Sequence, residues 1–164
     1  MDAKDTQIKL LLECLKKKER LLTQILNITE NQGFILTSRI SQEEIYAFFL
    51  KMNEEKQKLI NDVVDLDKIF ENVFKETGSY LDENTDKFNE EIKFMQDYIR
   101  NITDLDAAIR IQENVNNEGL NADKKARARK TDWKKKNKKR RASLENSGEY
   151  ENKRVLKAYK RQIT

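Results

Sequence analysis

SQEEIYAFFLKMNEEKQKLINDVVDLDKIFENVFKET, residues 41–77, is the stretch that decides the fold. Its apolar residues stand at Ile45, Phe49, Met52, Leu59, Val63, Leu66, Phe70 and Val73. The steps alternate four and three, and Lys56 fills the single slot left over. Such a repeat lays an apolar stripe along one side of a long helix. A helix cannot bury that stripe alone, so the rest of the chain must cover it. At the start, Ser41 and Glu44 form a capping box, and Ile40 is placed to staple onto Ile45. Thr77-Gly78 reads as the end.

The flanking segments carry matching stripes. A first helix is expected from near Asp5 or Thr6, both good N-caps. Its seam is Ile8, Leu12, Leu15, Leu22 and Leu26, widened by Leu11 and Ile25, with Glu19 in the polar slot. Asn31-Gln32-Gly33 reads as its stop, because Gly can take the left-handed conformation that closes a helix. The connector GFILTSRI is too apolar for a solvated loop, so Phe34, Ile35 and Leu36 are expected to fold over the hairpin end. A third helix, capped by Ser79, carries Leu81, Phe88, Ile92, Met95, Ile99, Ile102 and Ile109, interrupted by Thr85 and Asp106. It is expected to fade at 116–119, a cluster of turn-favouring residues.

Folding the first two helices back at the connector opposes Leu26 to Phe49, Leu22 to Met52, Leu15 to Leu59 and Leu12 to Val63. The numbers of facing residues then add to 74 or 75. On this register Glu19 meets Lys56, a structural pair of opposite charge. A fold at Gly78 gives 154 or 155 for the second and third helices. The expectation is an all-α antiparallel bundle of three long helices, a helical hairpin plus a third helix. It occupies residues 1–118, and 119–164 form a basic tail with a short C-terminal amphipathic segment.

Composition agrees. There is no Pro and there are four Gly, so little punctuates the helices. Charged residues make up 38% and hydrophobic ones 37%, a balance suited to a slender bundle rather than a thick core. With no His and one Cys, Cys14, neither an intrachain disulfide nor a Cys/His zinc site can form. A lone Cys fits a reducing compartment. No run reaches the ~18 apolar residues of a membrane span, and the N-terminus lacks a secretory pattern. A cytoplasmic protein is expected. Catalysis has little support: Cys14 has no imidazole partner, and no Gly-rich phosphate loop occurs. Asp62, Asp65 and Asp67 do not share one helical face and read as a solvated surface. No enzyme activity, metal or cofactor is expected.

The net charge of +4 hides a split. Residues 1–123 hold 16 basic against 25 acidic side chains, a net of −9, whereas 124–164 hold 17 against 4, a net of +13. Residues 124–141 carry 12 basic side chains in 18, densest at Lys134, Lys135, Lys136, Lys138, Lys139, Arg140 and Arg141, with Trp133 the one large apolar residue. Three readings stand. The block is solvated or lies on the acidic body; it contacts an acidic protein or membrane surface; or it binds nucleic acid, with Trp133 stacking on a base. Farther on, Val155, Leu156, Tyr159 and Ile163 share one face of a short segment. That face suits either docking on the bundle or recognition of another helix.

LLECLKKKERLLTQIL, EEKQKLINDVVDLDKIF and the third amphipathic helix, with Glu55-Lys56-Gln57 followed by Leu59-Ile60, resemble the FlgN/FliT type of flagellar export chaperone over roughly residues 5–115. The resemblance implies a small cytoplasmic helical-hairpin protein that holds unfolded hook-filament junction subunits and delivers them to the membrane export gate. It implies that a C-terminal helical part grips an amphipathic client helix. The matching positions here lie in the third helix, at Tyr98, Ile102 and Ile109, or in the tail, at Val155, Leu156 and Tyr159; both stay open. A tyrosine touching the gate would be Tyr98 or Tyr159. The long Lys/Arg block departs from the family pattern. Two other readings remain: a coiled-coil adaptor binding nucleic acid through 124–141, and a structural homodimer formed through the same seams.

Overall fold

The computed structural model describes residues 2–137, with side chains as far as Trp133. Among the described residues there are three helices, α1 (Ala3–Thr37), α2 (Gln42–Glu83) and α3 (Asn89–Asn137), and no strand. The expected all-α three-helix bundle is the fold. The chain divides into two compact units. The first comprises 1–27 and 58–109; the second comprises 28–57 and the chain from 110 onward. Each takes a stretch of every helix.

The first unit is held by apolar packing. Ile8, Leu11, Leu15, Leu22 and Ile25 of α1 bury against Leu81, Phe88, Met95, Ile102 and Ile109. Leu59, Val63, Phe70 and Val73 of α2 pack around them, half-buried. These are the seam residues of the sequence pattern. α2 does not end at Thr77-Gly78. Thr77 Oγ1 donates to Val73 O at 2.7 Å, a bond back along the helix, and Gly78 stays helical. The turn instead occupies 84–88, where Asn84 Nδ2 donates to Tyr80 O at 2.8 Å. Phe88 anchors it, its ring edge-on to Tyr80 with centroids 5.9 Å apart. Lys87 Nζ lies 3.3 Å from both Asp5 carboxylate oxygens, which tie the turn to the start of α1. That hydrogen bond raises the Lys87 pKa.

The second unit has a small apolar core and a polar one. Ile45, Phe49 and Leu120 bury together, with Ile35, Leu36 and Ile40 packed on them. The start of α2 follows expectation: Glu44 N donates to Ser41 Oγ at 3.3 Å, and Ile40 packs on the Ile45 cluster. The predicted stop at Gly33 is absent, because α1 runs through it to Thr37. Likewise α3 does not fade at 116–119 but continues to Asn137, so the first part of the basic stretch is helical. The reason is burial. Ile35, Leu36 and Leu120 reach the Phe49 cluster only if the helices continue, and that contact outweighs the weak local preference of Asn and Gly for turns.

Longer helices move the register. Lys18 meets Asp67 in the first unit and Gln32 meets Asn53 in the second, so facing numbers of α1 and α2 add to 85, not 74 or 75. For α2 and α3, Tyr80 meets Phe88 in the first unit and Lys56 meets Glu113 in the second, giving 168 and 169 instead of 154 and 155. The second shift, fourteen, is two whole heptads; the first is three seam steps. Both leave the same stripe facing inward, as a 3.5-residue repeat permits.

Candidate protein-docking groove

Lys56 sits at the centre of the second unit, with 0% of its surface exposed. Its Nζ donates to Gln32 Oε1 at 3.0 Å and Thr29 Oγ1 at 3.4 Å on α1, and pairs with Glu113 Oε1 at 3.3 Å on α3. Gln32 Nε2 donates to Asn53 Oδ1 at 2.9 Å, and Asn116 Nδ2 donates to Thr29 O at 2.8 Å. All these side chains are buried. In this unit the three helices are therefore joined by a polar layer beside the small Phe49 core. Burial pushes the Lys56 pKa down to about 8, and the Glu113 carboxylate opposes that fall by attraction and by its hydrogen bond. Asn53 Nδ2 is buried with no hydrogen-bond partner, so the layer is costly to assemble.

The expected partner of Lys56 was Glu19. The structure gives Lys56 to Glu113 instead, while Glu19, in the first unit, accepts a 3.5 Å contact from Asn101 Nδ2. The register shift is the cause.

Beside this layer, α1 and α3 come unusually close, at two glycines. A methyl group on Gly33 would lie 2.8 Å from Asn116 Oδ1 and from Gln112 Nε2; one on Gly119 would lie 3.0 Å from Leu36 Cδ1. Neither glycine has positive φ. Their service is to leave out a Cβ, not to end a helix. An open groove of about 370 Å³ runs here, lined by Phe34, Leu36 and Val115, with Glu30, Thr37 and Gln112 among its polar neighbours. Phe34 is 70% exposed and Val115 53%. Ile111, one turn before Val115 on α3, is 65% exposed. Phe34, Ile111 and Val115 are thus the most exposed of the large apolar side chains near the groove.

The sequence-derived positions fall elsewhere. Ile102 and Ile109 are buried in the first unit's core, and Tyr98 packs half-buried against it. Their neighbours Phe94 and Ile99 are the more exposed apolar residues of that stretch. Val155, Leu156 and Tyr159 lie outside the described residues, as do the side chains of Lys134, Lys135, Lys136, Lys138, Lys139, Arg140 and Arg141. Phe34 carried a signal in the sequence, as an oversized apolar residue in a predicted connector. Ile111 and Val115 carried a fainter one: they are spaced four apart, but off the seam that ends at Ile109. Glu113 and Asn116 carried none, because only the register shows what they meet.

Other chemistry is sparse. Cys14 is buried, and desolvation raises its thiol pKa, with Lys17 lowering it and Glu13 raising it by smaller amounts. Asp62, Asp65 and Asp67 are exposed, and Asp67 pairs with Lys18 at 2.8 Å. Among the described residues no group of three His, Cys, Asp or Glu could hold a metal, and no helix is long and apolar enough to cross a membrane. Among known proteins, no family model, no curated protein and no solved structure matches this chain.

Proposed function

We propose that this chain is a cytoplasmic chaperone that captures an amphipathic helix of hook-filament junction subunits and delivers them to the flagellar export apparatus. Two things support this reading. One is the resemblance carried by the Leu-rich first helix and by the Glu55-Lys56-Gln57 and Leu59-Ile60 stretch. The other, and the observation that carries it, is the exposed groove of Phe34, Leu36 and Val115 between α1 and α3. A client helix would lay its apolar face on these side chains, with its polar face left in water. Capture in this manner covers the client's own assembly surface and so delays polymerisation. Tyr98 and Tyr159 remain the candidates for contact with the export gate. No step of bond chemistry is required.

The test is co-purification with a hook-filament junction subunit. The wild-type chain should hold it at low and high salt alike, because apolar capture changes little with ionic strength. Phe34→Glu with Val115→Glu should weaken the complex about 100-fold or more, the scale of lost hot-spot residues. Both side chains are exposed, so circular dichroism should show the helices intact. A complex that survives this double substitution would move the client site away from the groove.

A further inference from the structure

The last described turns of α3 have two unlike sides. Lys124, Arg127, Ala128 and Thr131 are half-buried. Arg127 is held there: its Nη1 donates to Tyr46 Oη at 3.0 Å, its guanidinium lies 5.5 Å from that ring, and its Nη2 pairs with Asp123. Thr131 Oγ1 donates to Arg127 O at 2.8 Å. On the other side Lys125, Arg129, Lys130 and Trp133 are exposed, with Asp132 the one acidic side chain among them. Arg129 and Lys130 precede Trp133 by four and three residues, so they flank its ring on the same helical face. Trp133 is 66% exposed. Docking of Arg127 on Tyr46 thus turns a charge run into an oriented face, spanning about 12 Å of helix from Lys125 to Trp133.

We propose that this face of α3 binds single-stranded nucleic acid, a site distinct from the groove and independent of the client. Lys125, Arg129 and Lys130 meet successive phosphates, and an unpaired base stacks on the Trp133 ring. The preceding body, with its net charge of −9, repels phosphate and confines the strand to this end of the chain. Nucleic acid fits better than a lipid surface. A helix that lies in a membrane interface needs a broad apolar face, and here Trp133 is the one large apolar side chain on the outward side.

Trp133 is the only tryptophan of the chain, so its emission reports the site directly. The full-length protein is titrated with a short oligothymidylate, with polyglutamate, and with vesicles of phosphatidylserine and phosphatidylcholine. Quenching by oligothymidylate is expected, with little response to polyglutamate. Trp133→Ala, followed by anisotropy of a labelled oligonucleotide, should weaken binding roughly 5- to 100-fold, the range for loss of one stacked base. The triple variant Lys125→Gln, Arg129→Gln, Lys130→Gln should flatten the slope of log affinity against log salt by about two, at ~0.7 per phosphate contact on a single strand. All four side chains are exposed, so the melting curve should not move for either variant. Equal affinity for polyglutamate overturns the proposal, as does binding that Trp133→Ala leaves unchanged. A blue shift with vesicles and no response to oligothymidylate also overturns it, in favour of a membrane.

Discussion

Among the described residues, the helical glycines Gly78 and Gly33 differ in what surrounds them, and the difference is measurable. At Gly78 the atoms nearest an added methyl group are those of the Phe74 ring on its own helix, from 3.4 Å. Alanine there removes backbone freedom from the unfolded chain at no steric cost. Gly78→Ala should therefore stabilise the protein by up to about 1 kcal/mol in urea unfolding. Gly33 faces Asn116, whose amide is held by Thr29 O, and Gln112, which donates to Asn116 Oδ1 at 3.0 Å. Gly33→Ala should disturb that pair and cost about 1–2 kcal/mol despite alanine's better helix propensity. From the sequence both looked like helix ends. The scarcity of punctuation in this chain made each glycine look like a signal, when no described glycine has positive φ.

In the second unit a polar layer joins α1, α2 and α3. Lys56→Leu alone leaves Glu113 buried without its cation and should destabilise by about 3–5 kcal/mol. Adding Glu113→Leu should recover most of that loss, since a buried pair replaced by apolar side chains is often neutral. The pH dependence follows from the Lys56 pKa, which is about 8 in the fold against an ordinary 10.5. The unfolded chain binds the extra proton between these values. Stability from this group is therefore least below about pH 8 and rises as pH climbs toward 10.5. Relative to the double variant, the wild type should therefore gain unfolding free energy as pH rises across that window. A difference independent of pH would mean that Lys56 is not desolvated as its position demands.

Elements also show where sequence reading stops. The stripes of Ile8 to Ile25 and of Leu59 to Val73, the capping box at Ser41 and the Ile40 staple are all legible, because periodicity and local chemistry write them directly. The register is not. Seams that repeat every 3.5 residues match at many offsets, so the position of each turn has to choose between them. Both turns depend on burial, of Leu36 and Leu120 in one unit and of Leu81 and Phe88 in the other. The apparent match of Glu19 with Lys56 was one offset among several. Phe34 was legible as too apolar for its surroundings, whereas the groove it lines with Val115 needed the correct register of α1 against α3.

For the molecule as a whole, an acidic body precedes a basic end, and apolar side chains stand exposed beside a polar core. A chain built only for stability would bury Phe34, Ile111 and Val115 and would fill the layer around Lys56 with leucine. Keeping the first set open and the second set polar suits a protein that holds a partner's helix and keeps its own helices in one register. The most direct measurement is hydrogen exchange of the full chain with and without a hook-filament junction subunit. Capture in the groove predicts slowed exchange at 33–37 of α1 and 111–119 of α3, with 59–73 of α2 unchanged. Protection confined to the first unit, or no change anywhere with the complex formed, would contradict it.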